Sequence, residues 1–170
     1  MVYNNFLTDE ELKQINDLRE ADIWHKPSIS PHIPDYRILK GISIIDHLEN
    51  IKTKIWEKIS VLSEYNIDGI YEMHMLKYDV GGKYDWHQDV VYRNEPQRKH
   101  TFILQISDHD DYEGGDLEFF PTIKIDIDKE RAREKGTLIV FSSYLYHRIT
   151  PITKGHRYSI VGWVSGPPWK

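Results

Sequence analysis

With 170 residues, 39% of them hydrophobic and 29% charged, the chain has the length and composition of one globular domain with a buried core. The formal net charge of -5 argues against a nucleic-acid partner, and the absence of cysteine excludes disulfides, thiolate metal sites and a cysteine nucleophile. No apolar run is long enough for a membrane helix and the first residues lack a secretory signal pattern, so the sequence predicts a cytoplasmic protein with no membrane partner.

Two helices are predicted in the first part of the chain. Thr8 and Glu11 form a capping-box pattern for a helix over residues 6–20. A longer helix is predicted over residues 44–62 from one continuous apolar stripe, with Ser43 as its N-cap. Both helices are expected to support the fold from outside and to carry no chemistry.

The segment 24–36 between the helices contains three prolines, which exclude a regular helix or a central strand. It is therefore predicted to be a connecting loop, and it is a candidate to lie over a functional site.

From residue 70 onward the chain consists of short runs rich in Tyr, Ile, Val, Phe and Thr, separated by turn residues. Strands are predicted over residues 71–78, 84–88, 100–107, 116–120, 136–141, 144–147 and 157–164. Many short strands after two helices favour a mainly β fold with flanking helices and a double-stranded β-helix (jelly-roll) core. We predict one domain over residues 1–170, in which the helical part, 1–69, packs on a jelly-roll core, 70–165.

A candidate metal site begins with His87 and Asp89. Residues two apart in a strand face the same side, so this pair presents an imidazole nitrogen and a carboxylate oxygen together. His147 follows a buried strand and a polar turn, and it is the candidate for a second imidazole. Two imidazoles and one carboxylate form the facial triad that non-heme Fe(II) oxygenases use, with open positions on the metal.

Arg157 is the second feature that carries chemistry. By alternation it shares one face of the last strand with Ser159, Val161 and Trp163. A guanidinium on an inward face needs an anionic partner, which is either a carboxylate of the protein or a carboxylate of a ligand.

The triplet His109-Asp110-Asp111 is a rival His-x-Asp pattern. It lies in a polar turn, where fixed two-apart presentation fails, and the surrounding run does not match a calcium loop. We interpret it as turn structure.

The order of these motifs resembles that of the Fe(II)/2-oxoglutarate-dependent dioxygenases, in particular the prolyl-4-hydroxylase branch and its small bacterial and phage PKHD-type relatives. The resembling segments are residues 78–89, 101–108, 112–117, 136–142 and 147–151, followed by Gly155 and Arg157. The resemblance covers about residues 70–165, and the spacing of several linked motifs makes it specific.

The resemblance implies that His87, Asp89 and His147 bind Fe(II) and that Arg157 holds the distal carboxylate of 2-oxoglutarate. It also implies that Tyr78 lines the co-substrate pocket and that Ser159 assists the arginine. Gln105 stands where prolyl hydroxylases often have a tyrosine that helps to bind this carboxylate. The implied cofactors are Fe(II), 2-oxoglutarate and O2, with ascorbate as a further candidate. The implied reaction hydroxylates a C–H bond and releases succinate and CO2, in the cytoplasm of a bacterium or a phage-infected host.

The resemblance favours a peptidyl side chain of prolyl type as substrate, and a free amino acid or small metabolite is the alternative. Candidate substrate contacts are Trp24, Tyr92, Arg93 and Arg98. Two other classes remain open: a zinc hydrolase, which shares the donor set but has no use for Arg157, and a non-catalytic metal-binding jelly-roll module. The sequence predicts no oligomeric state.

Overall fold

The computed structural model describes residues 1–21, 36–90, 96–120 and 127–168. Its helices are α1 (Asp9–Glu20), α2 (Glu49–Ser60) and the short α3 (Lys129–Arg133), and a 3-10 turn covers His109–Asp111. Its strands are β1 (Val2–Tyr3), β2 (Arg37–Ile38), β3 (Lys40–Ser43), β4 (Gly69–Tyr78), β5 (Lys83–His87), β6 (Gln97–Gln105), β7 (Tyr112–Gly114), β8 (Leu117–Phe119), β9 (Leu138–Ser142), β10 (His147–Ile149), β11 (Ile152–Gly155) and β12 (Arg157–Gly166).

Two antiparallel sheets form the body of the fold. The larger sheet has the strand order β1-β9-β6-β12-β4-β3, and the smaller has the order β2-β5-β10-β8. The short pair β11-β7 lies beside them. The long neighbours β4, β12 and β6 form the centre of the larger sheet. The predicted mainly β fold with flanking helices is confirmed.

The larger sheet buries both of its faces, and alternation along β4 shows how. Met73 and Met75 belong to a core cluster that also contains Ile15 of α1 and Ile55 of α2. Leu76 and Tyr78 belong to a second cluster, which lies between the two sheets. The helices therefore cover one face, while the other face is free to build a site against the smaller sheet.

The N-terminus of α1 has the predicted capping box. The Glu11 amide donates to the Thr8 hydroxyl at 3.2 Å, and the Thr8 amide donates to the Glu11 carboxylate at 2.8 Å. These bonds satisfy two amides that a helix start leaves without partners.

The predicted start of the second helix is wrong. Ser43 is not an N-cap but the last residue of β3, and α2 begins at Glu49 after Leu48, which has a left-handed backbone with φ 55°. The buried Ile42 pairs with Met75 of β4. Ile42 and Ile44 thus follow the two-residue period of an edge strand, which the helical interpretation of the later isoleucines obscured.

The predicted strand over residues 144–147 is also wrong, because residues 143–145 form a turn or bend and β10 begins only at His147. The short strands β1, β2, β3, β7 and β11 were not predicted. Residues 24–35 of the predicted loop lie outside the described residues, as do residues 91–95. In the described part of the chain, no helix has both the length and the apolar character needed to cross a membrane.

Candidate active site

The two histidines of the predicted triad face each other across the smaller sheet. His87 ends β5, His147 begins β10, and the two are direct partners in the antiparallel register. Asp89 follows β5, and its amide donates to the Ser143 carbonyl at 3.0 Å, which fixes it beside the turn before β10. The Nε2 atoms of His87 and His147 lie 3.6 and 3.5 Å from the Asp89 carboxylate oxygens. All three side chains are buried.

Each imidazole is oriented by a backbone carbonyl two residues before it. The Nδ1 atom of His87 lies 2.7 Å from the Asp85 carbonyl, and that of His147 lies 2.8 Å from the Leu145 carbonyl. Since a carbonyl only accepts hydrogen bonds, both Nδ1 atoms carry the proton and both Nε2 atoms present a lone pair. One ligand atom from each of His87, Asp89 and His147 lies within 4.8 Å of the other two.

The protonation states at this site suit metal binding. Burial and the neighbouring His147 lower the pKa of His87 to about 4, so the imidazole is neutral at pH 7. Burial raises the pKa of Asp89, but the two imidazoles and a hydrogen bond from Thr101 outweigh that effect, so the net shift is downward. Neutral imidazoles and an ionised carboxylate are the forms in which these groups ligate a cation.

Thr101 of β6 supports the carboxylate from behind. Its hydroxyl donates to Asp89 Oδ2 at 2.7 Å and lies 3.1 Å from the Ser143 hydroxyl. Metal-ligating carboxylates are normally held by such outer hydrogen bonds. The donor set and its supports therefore fit a metal ion that would be held by two imidazoles and one carboxylate.

The rival triplet does not form a comparable site. Asp108, His109 and Asp110 come close together, but His109 is exposed and pairs with the two carboxylates at 3.0 and 3.2 Å. The Asp108 side chain caps the 3-10 turn that follows. The interpretation of this run as turn structure agrees with these contacts.

Arg157 begins β12 and is 3% exposed. Its two terminal nitrogens donate to the Ser159 hydroxyl at 3.3 Å and to Gln105 Oε1 at 3.0 Å, and its Nε has no hydrogen-bond partner. No carboxylate in the described ranges lies within ion-pair distance of Arg157. No internal salt bridge within these ranges holds this charge, and a ligand anion is the other partner that the sequence left open.

Tyr78 and Gln105 surround the arginine in different ways. The Tyr78 ring lies 5.4 Å from the guanidinium carbon, and burial raises the pKa of its phenol to about 12, so it stays protonated. Gln105 lies behind Arg157, accepting its hydrogen bond and donating to the Tyr112 hydroxyl at 2.9 Å. Gln105 is not among the residues that line the cavity, whereas Tyr78 and Ser159 are.

One cavity of about 270 Å³ contains both the triad and Arg157. Its floor follows two neighbouring strands, in which Arg157 pairs with Tyr78 at one end and Trp163 pairs with Glu72 at the other. The buried end is at Arg157, and the open end is at Glu72, whose side chain is 44% exposed. Apolar side chains cover the walls between these ends: Leu76, Ile103, Ile149 and Val161.

The structure also shows residues that sequence reasoning missed. Thr101, Ser143, Arg37, Glu72 and His74 were not singled out. Alternation backward along β4 from Tyr78 would have placed His74 and Glu72 on the cavity face. No local signal marks the other three, because the strands of Thr101 and Arg37 and the turn of Ser143 meet the site only in the folded protein. Arg98, a predicted substrate contact, does line the cavity, while Trp24, Tyr92 and Arg93 lie outside the described residues.

The chain is similar in sequence to a known protein family and to several curated proteins. A family model described as the 2OG-Fe(II) oxygenase superfamily matches residues 73–165. The chain is similar to a PKHD-type hydroxylase of Synechococcus sp. (strain CC9902), with 29% identity over 144 residues, which are 85% of this chain and 60% of that relative. The chain spans about half the length of the curated relatives it matches.

Two solved structures have a similar fold. A viral collagen prolyl hydroxylase from Paramecium Bursaria Chlorella virus-1, in a 2OG complex, has a TM-score of 0.71 and 21% identity, covering 98% of this chain and 95% of that chain. A prolyl hydroxylase from Trichoplax adhaerens, in complex with a hypoxia inducible factor peptide fragment, has a TM-score of 0.76 and 20% identity, covering 97% and 82%. At such identities the likeness concerns the fold, and it confirms the predicted jelly roll.

Proposed function

The chain belongs to the 2OG-Fe(II) oxygenase superfamily, and from this premise we propose that it hydroxylates a C–H bond of a peptidyl side chain of prolyl type, with release of succinate and CO2. The family name specifies the metal, the co-substrate and the use of O2, as predicted. One observation carries the proposal for this chain: the same cavity contains a converging His87–Asp89–His147 donor set and a buried arginine without a carboxylate partner in the described ranges.

In this proposal His87, Asp89 and His147 hold Fe(II), and Arg157 holds the distal carboxylate of 2-oxoglutarate. When bound, iron and co-substrate together supply the activation of O2 that hydroxylation of a C–H bond needs. The chain's own part is to bind, to orient and to exclude water. The carbonyls of Asp85 and Leu145 accept hydrogen bonds from the two Nδ1 atoms and so orient the imidazoles with Nε2 available to the metal.

At the other end of the site, Ser159 and Gln105 position the guanidinium and leave its Nε unused within the protein. Two parallel N–H bonds to a carboxylate match the shape of a guanidinium. Tyr78 stays a neutral phenol at working pH and is therefore able to donate a hydrogen bond to the same anion. The apolar walls between Arg157 and the triad keep the reacting end dry.

The zinc hydrolase and the non-catalytic module are not supported by the family match, and neither has a use for Arg157. Prolyl specificity rests on similarity to relatives alone, so a free amino acid or small metabolite remains the second candidate substrate. Arg37 lines the same cavity, and its positive charge favours a substrate that carries a negative charge. Ascorbate remains a prediction that nothing in the site addresses.

The test of this function is substrate-dependent turnover. The protein with Fe(II), 2-oxoglutarate and O2 is incubated with a library of proline-containing peptides and with the free amino acids. The proposal expects succinate formation to rise with at least one peptide and that peptide to gain the mass of one oxygen atom. Oxidation of a free amino acid alone would move the function to the second candidate. Succinate formation without any oxidised product in either library would contradict the substrate proposal.

A further inference from the structure

The open end of the cavity has a wall that neither the metal ligands nor the co-substrate residues use. Its members are Arg37 of β2, Glu72 and His74 of β4, Arg98 of β6 and Trp163 of β12. We call these five residues the outer wall. Because the deep end is committed to Arg157 and the triad, a substrate reaches the metal past the outer wall.

One of the two arginines of the outer wall is already neutralised. Arg98 donates to Glu72 Oε2 through Nε at 2.7 Å and through a second, shorter bond from Nη2. Its guanidinium also lies 3.5 Å from the centre of the Trp163 ring, and Nη1 reaches the Asp89 carbonyl at 3.5 Å. Arg98 is therefore fixed and its charge is compensated, so this pair forms a rigid part of the wall.

Arg37 lies in a different situation. No carboxylate among the described residues is within ion-pair distance of its guanidinium. Arg37 contacts Tyr84, whose ring centre is 5.3 Å away and whose phenol also interacts with it through a side-chain hydrogen bond. The Tyr84 ring in turn stacks on His87, with ring centres 3.5 Å apart and an angle of 11°. Arg37 is thus a partly buried cation placed one aromatic ring away from a metal ligand.

Among the described residues, the charges that line the cavity leave this cation unbalanced even in the loaded site. A ferrous ion with Asp89 and a dianionic co-substrate with Arg157 sum to zero. Arg98 and Glu72 cancel each other. His74 adds no charge at neutral pH, because burial lowers its pKa. A partly buried guanidinium that has no carboxylate partner in the described part of the chain attracts an anion more strongly where water screens its charge poorly.

We propose that Arg37 binds a carboxylate of the substrate and so positions the neighbouring C–H bond over the metal. This inference deepens the proposed function and rests on it. The recognised chemistry is a carboxylate within reach of the oxidised carbon. It has two sources, the α-carboxylate of a free amino acid or chain end and the side chain of an acidic residue next to the target in a peptide.

The test measures binding, not turnover, to the protein loaded with Fe(II) and 2-oxoglutarate without oxygen. The first set of probes contains N-acetyl amino acids and their primary amides. The second contains capped proline peptides with Asp or Glu beside proline, each matched by Asn or Gln. The dissociation constants are measured by calorimetry for the wild type, Arg37→Gln, Arg37→Lys and the control Lys40→Gln. Lys40 is a cation close in sequence whose side chain is 66% exposed and which does not line the cavity.

The inference expects at least one acid to bind the wild type and Lys40→Gln about 10- to 100-fold more tightly than its amide, as a charge-assisted hydrogen bond provides. Arg37→Gln should remove this preference and Arg37→Lys should restore part of it. Preference in the first set identifies the α-carboxylate, and preference in the second identifies an acidic neighbour.

Three results would overturn the inference. They are equal binding of acids and amides, binding of no probe, and an acid preference that survives in Arg37→Gln. The visible band of the Fe(II) and 2-oxoglutarate complex, recorded in each sample, separates this failure from a failure of the function. If the band forms but no acid is preferred, the inference is wrong and the proposed function stands. If the band does not form in the wild type, the proposed function itself fails.

Discussion

Arg157 carries a charge that the described part of the chain does not neutralise. Two neutral oxygens, those of Ser159 and Gln105, accept from it, and its Nε is left over. Holding a buried guanidinium in this way destabilises the empty protein unless a ligand anion arrives. The position of Arg157 therefore indicates a role in ligand binding, in the cavity that the metal ligands also line.

The substitution Arg157→Gln should weaken 2-oxoglutarate binding by about 100-fold or more, because a buried carboxylate loses its charged partner. Metal content should stay close to that of the wild type. Anaerobic titration with 2-oxoglutarate and a separate metal assay give the two numbers, with the exposed Arg131→Gln as the control. Equal loss of iron and co-substrate would show instead that Arg157 maintains the structure of the whole site.

At this scale the sequence predicted the residues that follow a local rule. His87 and Asp89 obey the two-residue period of a strand, and Arg157 shares its face with Trp163 by the same rule. Thr101 could not be found in this way, because its bond to Asp89 joins residues whose neighbourhood is set by the order of strands in the sheets.

Among the structural elements, the corner between β11 and β12 decides where Arg157 lies. Gly155 turns this corner with φ +70°, and a Cβ atom there would lie 2.0 Å from the Asp111 carbonyl oxygen. Gly81, between β4 and β5, has φ +82°, but a Cβ atom added there would meet no other side chain or backbone atom within 4 Å. The two glycines share the backbone requirement and differ in the space around them.

This difference predicts that Gly155→Ala costs about 3 kcal/mol or more of unfolding free energy, since backbone strain adds to a clash with main-chain atoms. Gly81→Ala should cost about 1 kcal/mol, from strain alone. Urea unfolding of both variants measures the two values. If the two substitutions lower the unfolding free energy equally, the close approach of the Asp111 carbonyl to Gly155 is not what restricts that corner.

The elements that the sequence predicted well carry their signal within a few residues. The capping box at Thr8 is an example, and the bonds it predicts are present. The segment before α2 shows the opposite case. Ile42 belongs to an edge strand and Ile44 directly follows it, but the isoleucines of α2 come soon after and extend the apparent helical stripe backward to Ser43. Only pairing with β4 distinguishes the two structures.

For the molecule as a whole, the stability of the folded state at acid pH depends on buried histidines that are neutral in the folded protein. His100 of β6 is 7% exposed, its Nε2 lies 2.8 Å from the Ser63 hydroxyl, and its ring packs on Tyr65. Burial lowers the pKa of His100 to about 4. Between that value and the unfolded value of about 6.5, the unfolded chain binds a proton that the folded protein excludes. Stability is therefore lost as pH falls through this window.

The expected contribution of His100 between pH 7.5 and pH 5.0 is on the order of 1–2 kcal/mol of unfolding free energy. His100→Gln, which keeps a hydrogen-bonding group for Ser63, should reduce the acid-induced loss by this amount. His47→Gln, at an exposed position, should leave the loss unchanged. Urea unfolding of each protein at the two pH values measures its acid-induced loss of unfolding free energy. An equal loss in the wild type and in His100→Gln would mean that His100 accepts a proton in the folded protein.

The central claim, that this cavity binds Fe(II) and 2-oxoglutarate together, is tested most directly by anaerobic reconstitution. The purified protein is loaded with Fe(II), and 2-oxoglutarate is added while the visible charge-transfer band of a chelated 2-oxo acid is recorded. The band should appear in the wild type and in His109→Ala, whose histidine belongs to the exposed turn, and it should be absent in His87→Ala. Iron binding by the wild type without the band, or a full band in His87→Ala, would contradict the account.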